Sequence, residues 1–67
     1  MKVKDFISVI NKVQVIGIYD ESICQPVAHD TRETLERNGG FLDYEIVDVE
    51  FNPNSRTVWV TINTEKD

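Results

Sequence analysis

The chain has 67 residues, enough for one compact mini-domain over 1–67 and too few for two. Twelve acidic residues against seven basic ones leave a net charge of −5, while 40% of residues are apolar, which excludes a disordered acidic tail. No apolar run approaches the roughly 18 residues of a membrane span, and the start Met1-Lys2-Val3-Lys4-Asp5 leads into no signal-peptide core.

Nine Val and seven Ile against two Leu favour a sheet over a helical bundle. The first segment is the exception: Val3, Phe6, Ile7 and Ile10 recur on one helical face and predict a helix over about 3–11. Lys12 to Tyr19 reads as a strand apolar on both faces, hence central, with Gly17 marking a bend or a close approach. After the turn Asp20-Glu21-Ser22, a strand over Ile23–Val27 contains Pro26, which cannot donate to a ladder and so assigns it to an edge. Asp30 and Glu33 have the spacing of a capping box, predicting a short helix to about Arg37 that offers Leu35, Thr31 and Thr34 to a core. Asn38-Gly39-Gly40 closes that helix.

The last third predicts a hairpin, Phe41–Phe51 and Arg56–Asn63 around the turn Asn52-Pro53-Asn54-Ser55. On the return strand Val58, Val60 and Ile62 face the core, and Thr57, Trp59 and Thr61 form a face with no helix assigned to it. On the outgoing strand Leu42, Tyr44 and Ile46 have one parity and Val47, Val49 and Phe51 the other, so a bulge near Ile46-Val47 is needed to bring all six inside. The tail Thr64-Glu65-Lys66-Asp67 is expected to fray. The expected fold is α+β in the order α-β-β-α-β-β, a small, mostly antiparallel four-stranded sheet with two short helices on one face.

Signals for chemistry are sparse. Cys24 and His29 lie five apart with Asp30 beside the histidine, but a nucleophilic dyad needs hydrogen-bond reach and an oxyanion site. One Cys and one His fall short of a zinc ligand set, so no metal and no cofactor are expected. Gly39-Gly40 lacks the Lys and Ser/Thr of a phosphate loop and ends a helix rather than opening one. Trp59 reads as a packing or interface residue before a base-stacking one. A lone cysteine, Cys24, allows no internal disulfide and fits a reducing compartment.

Charge is the most informative feature. Residues 1–19 carry a net +2, 20–50 a net −7, and 51–67 sum to zero. Such a distribution repels phosphate and attracts a basic surface, so no direct nucleic-acid binding is expected. Two readings of the acids stay open: mimicry of a nucleic-acid backbone, or plain solubility. Asp43, Glu45, Asp48, Glu50, Glu33 and Glu36 are the candidate partner contacts, and the four on the outgoing strand share a face only if the bulge forms. A core this small supplies only about 3–5 kcal/mol, which favours a homo-oligomer using Trp59, Thr57 and Thr61.

Four segments, Met1-Lys2-Val3-Lys4-Asp5-Phe6-Ile7, Val15-Ile16-Gly17-Ile18-Tyr19-Asp20, Leu42-Asp43-Tyr44-Glu45-Ile46-Val47-Asp48-Val49-Glu50 and Val58-Trp59-Val60-Thr61-Ile62, together resemble short accessory proteins of tailed phages and prophages of Gram-positive bacteria. The resemblance implies a phage-encoded protein of the host cytoplasm and brings no catalytic residues with it. The expected function is therefore non-enzymatic binding of a host protein, with antagonism of a host defence as one role. The alternatives are sequestration of a nucleotide signal at a dimer interface, with Arg32, Arg37 and Arg56 as phosphate contacts, and a structural or regulatory phage component.

Overall fold

A computed structural model describes residues 1–65. The elements follow the expected order: α1 (Val3–Ile7), β1 (Val15–Asp20), β2 (Gln25–Thr31), α2 (Arg32–Asn38), β3 (Asp48–Asn52) and β4 (Thr57–Ile62). The strands form one sheet in the order β2-β1-β4-β3. The sheet is mixed rather than mostly antiparallel. β1 runs antiparallel to β2 and β3 antiparallel to β4, but the two central strands β1 and β4 are parallel.

Ile16 and Ile18 of β1 and Val60 and Ile62 of β4 share one face of the sheet, and Val3, Ile7 and Leu35 of the two helices bury against them. Both helices thus cover the same face. Pro26 sits in edge strand β2, as its missing N–H requires. Gly39 ends α2 with φ 71°, the left-handed cap expected there, and its N–H bonds the carbonyl of Leu35.

Four boundaries differ from the expectation. α1 stops at Ile7 rather than near residue 11, because bonds from Val9 to Phe6 and from Ile10 to Ile7 tighten its end into three-residue turns. That leaves Val9 and Val13 exposed. β1 starts at Val15, after Asn11 Oδ1 accepts from the Val13 N–H in a turn. β2 begins later and runs to Thr31, so His29 and Asp30 lie in the strand and Thr31, not Asp30, caps α2 by accepting from the Thr34 N–H. Pairing with β1 over Ile16↔Asp30 and Gly17↔His29 outweighs the capping signal of Asp30.

The largest correction concerns 41–51. β3 covers only Asp48–Asn52 and pairs with β4 without a register shift; Ile46 and Val47 precede it, with the Val47 N–H donating to the Thr61 carbonyl, and the register shift within the paired strands lies between Ile18 and Tyr19. Residues 42–46 leave the sheet and run along the N-terminus instead: the Val3 N–H bonds the Tyr44 carbonyl, Lys4 bonds Leu42, and Ile46 bonds Met1. Leu42, Tyr44 and Ile46 reach the core by this route. Val47, Val49 and Phe51 stay outside, 49%, 41% and 55% exposed. Of the expected frayed tail, Thr64 is anchored by its hydroxyl and N–H to the carboxylate of Asp20, while Lys66 and Asp67 lie outside the described residues.

Candidate functional site

The helix-free face of the sheet is built by the residues alternating with the core positions. His29 on β2, Gly17 on β1, Trp59 on β4 and Glu50 on β3 form one cross-strand row by register. Tyr19 and Thr61 pair in the next row, with Asp48 opposite Thr61. Gly17 has no side chain to stand between its neighbours, so Trp59 leans over it and meets His29 at 5.6 Å between ring centroids, tilted by 31°. A shallow hollow of about 460 Å³ beside the indole is lined by Tyr19, Pro26, Glu50, Trp59 and Thr61. The Tyr19 phenol is held above its usual range, chiefly by burial and then by the neighbouring Cys24 thiol.

The three self-association candidates are not equivalent on this face. Thr57 is only 1% exposed, with its hydroxyl donating to the Ser55 carbonyl and lying 3.5 Å from His29 Nε2. Trp59 and Thr61 are half-buried and remain available to a partner.

The six acidic candidates fall into three groups. Glu33 and Glu36 of α2 pair with Arg37 one helical turn later and Arg32 one turn earlier, respectively. Asp43 and Glu45 lie outside the sheet, bound to Lys4 Nζ at 3.1 Å and to the Met1 amino group at 3.0 Å. Asp48 and Glu50 are exposed on β3, share the helix-free face, and make no ion pair among the described residues. The expected row of four carboxylates is therefore two separate pairs, because Asp43 and Glu45 leave the sheet to run along the N-terminus. Arg32 also donates to the Ile10 carbonyl at 2.7 Å and is committed inside the fold, whereas Arg37 makes a surface pair with Glu33. Arg56 remains exposed beside a hollow lined in part by Asn11, Gln14 and Ser55.

Cys24 and His29 engage different groups. The thiol points to the Glu21 carbonyl at 3.6 Å, whereas the imidazole faces Trp59 and Thr57. Among the described residues, no three His, Cys, Asp or Glu side chains gather as metal ligands, and no helix is long and apolar enough to cross a membrane.

Asp20 carries no signal in the sequence beyond its place in a turn, yet it is the buried carboxylate among the described residues. Burial alone would push its pKa up, but hydrogen bonds from the hydroxyls and N–H groups of Thr64 and Ser22 outweigh that and lower it to about 2. These bonds clasp the end of β1 to the segment after β4.

No family model matches the chain, and neither the curated proteins nor the solved structures compared with it contain a match.

Proposed function

We propose that the chain is a non-enzymatic protein-binding domain, a phage-type accessory protein that binds a host protein in the host cytoplasm and antagonises a host defence. The observation that carries the binding reading is the contrast among its carboxylates. Four of the six candidates are neutralised by cations of the chain itself, whereas Asp48 and Glu50 stand exposed beside Trp59 and Thr61. Carboxylates without an ion pair among the described residues, next to an amphipathic aromatic, suit a basic protein surface and repel a polyphosphate. The commitment of Arg32 to Glu36 and to the Ile10 carbonyl weighs against the nucleotide-binding alternative.

The test is capture from a Gram-positive host lysate on the immobilised chain, compared with an Asp48→Asn/Glu50→Gln variant. Capture that weakens in the variant and with added salt supports the reading; capture indifferent to both overturns it. Self-association through Trp59 and Thr61 accompanies this proposal, since both helices lie on the opposite face.

A further inference from the structure

We propose that β3 binds its partner by strand addition, and that the segment it accepts is an extended one alternating basic and apolar residues. This inference rests on the protein-binding reading above and gives that partner a chemistry.

The sheet has two edges, and they differ. β2 is blunted by Pro26 and by the register shift between Ile18 and Tyr19 in its pairing with β1. β3 has no proline, no lysine and no shift, and every one of its five residues is exposed. Its outer side bears the unpaired backbone groups of an edge, the template on which another strand adds.

The side chains of β3 specify what that strand must carry. Val49 and Phe51 project on the helix side, past the reach of α1 and α2, and Val47 precedes them at similar exposure. Asp48 and Glu50 project on the other side. A strand added in either direction places alternate residues beside these two sets, apolar ones against Val49 and Phe51 and basic ones against Asp48 and Glu50. A hollow of about 460 Å³ lined by Glu45, Ile46, Val47 and Asn63 lies at the end of the sheet, where β3 begins beside the end of β4.

A second copy of the chain does not meet this requirement. Antiparallel self-pairing about Val49 sets Asp48 against Glu50 twice, and pairing about Glu50 sets that residue against itself. Like charges directly opposite destabilise a pair of strands. In these two registers the acids guard the edge against its own copies while leaving it open to a basic segment.

The probe is a short end-blocked peptide of alternating Lys and Val, compared at low salt with its block isomer, all Lys then all Val, and with an alternating Glu–Val peptide. Binding is read by anisotropy, and its place by amide hydrogen exchange. The expected result is a preference of about tenfold or more for the alternating Lys–Val peptide, with slowed exchange confined to 47–52. In Asp48→Lys/Glu50→Lys the preference should reverse to the Glu–Val peptide, while Asp48→Asn/Glu50→Gln should lose it without reversal. Equal binding of the alternating and block peptides, protection centred on Trp59 instead, no binding, or no reversal would each overturn strand addition. If the peptide fails while lysate capture still depends on Asp48 and Glu50, strand addition alone falls. If capture ignores both acids, the binding reading falls with it.

Discussion

Trp59 occupies the space above Gly17. A Cβ at position 17 would lie only 2.7 Å from Trp59 Cδ2 and inside contact distance of Cε3 and Cζ3. The two residues are register partners on the parallel central strands, and the missing side chain lets the indole cross β1 toward His29 on β2.

Gly17→Ala should therefore displace the indole. Overpacking of this kind costs about 1–3 kcal/mol. In a domain this small, each kcal/mol lowers Tm by roughly 4–8 °C. A red shift of Trp59 emission together with a lower Tm is the expected outcome. An unchanged spectrum and Tm would show that the ring has room to move aside.

The acid response should centre on Asp20. Its folded pKa of about 2 lies below the ordinary 3.8, so the ionised form stabilises the fold at neutral pH and that contribution fades as pH falls from about 4 through about 2. Asp20→Asn should be less stable than the parent at pH 7, and the gap should narrow over that acid window. Urea unfolding of both proteins across a pH series checks this. A gap independent of pH would assign the loss to packing alone.

These two sites differ in how much of them was legible beforehand. Gly17 inside an apolar strand announces a close approach, and Pro26 and Gly39 announce an edge and a helix end, because each residue restricts its own backbone. The Asp20–Thr64 clasp spans 44 residues and has no local sign. The parallel pairing of β1 with β4 is equally silent, since alternation assigns faces but not strand direction. The run 41–51 misleads for a related reason. Its β-forming residues suit either a long strand or two short pairings, and the contacts with Met1, Val3 and Lys4 that split it are distant in sequence. Of the acidic candidates, composition located the group, but only the pairing of Asp43 with Lys4 and of Glu45 with Met1 separates them from Asp48 and Glu50.

Bare DNA and RNA should not bind usefully. Arg32 and Arg37 are paired within α2, Lys4 with Asp43, and the exposed face of β3 is acidic. Phosphate recognition needs a cluster of free cations. A mobility-shift titration at low salt should show no complex at micromolar concentration, and a micromolar complex would contradict the charge argument.

Self-association should be visible at micromolar concentration through the helix-free face. Thr61→Arg places a charge there while sparing the contact of Trp59 with Gly17, so it should favour the monomer without the loss of stability expected of Trp59→Ala. Sedimentation velocity across a wide concentration range checks both variants. A single 7.7 kDa species for the unaltered chain at every concentration would rule the oligomer out.

Neutralising the two acidic pairs separately should give different results. Asp43→Asn/Glu45→Gln breaks contacts with Lys4 and the Met1 amino group, all of them at exposed side chains. Exposed ion pairs contribute about 0–1 kcal/mol each, so stability should fall only slightly. Partner association should change little, because these carboxylates already have cations beside them. Asp48→Asn/Glu50→Gln breaks no ion pair among the described residues, so its stability should match the parent or exceed it. Its association rate with a captured partner should drop at low salt and converge on the parent's as salt rises, since screening removes long-range attraction from both. Stopped-flow association at several ionic strengths, beside urea unfolding of each variant, separates the two effects. A larger kinetic loss from the Asp43 and Glu45 pair than from Asp48 and Glu50 would move the partner's contact away from β3 and toward α1.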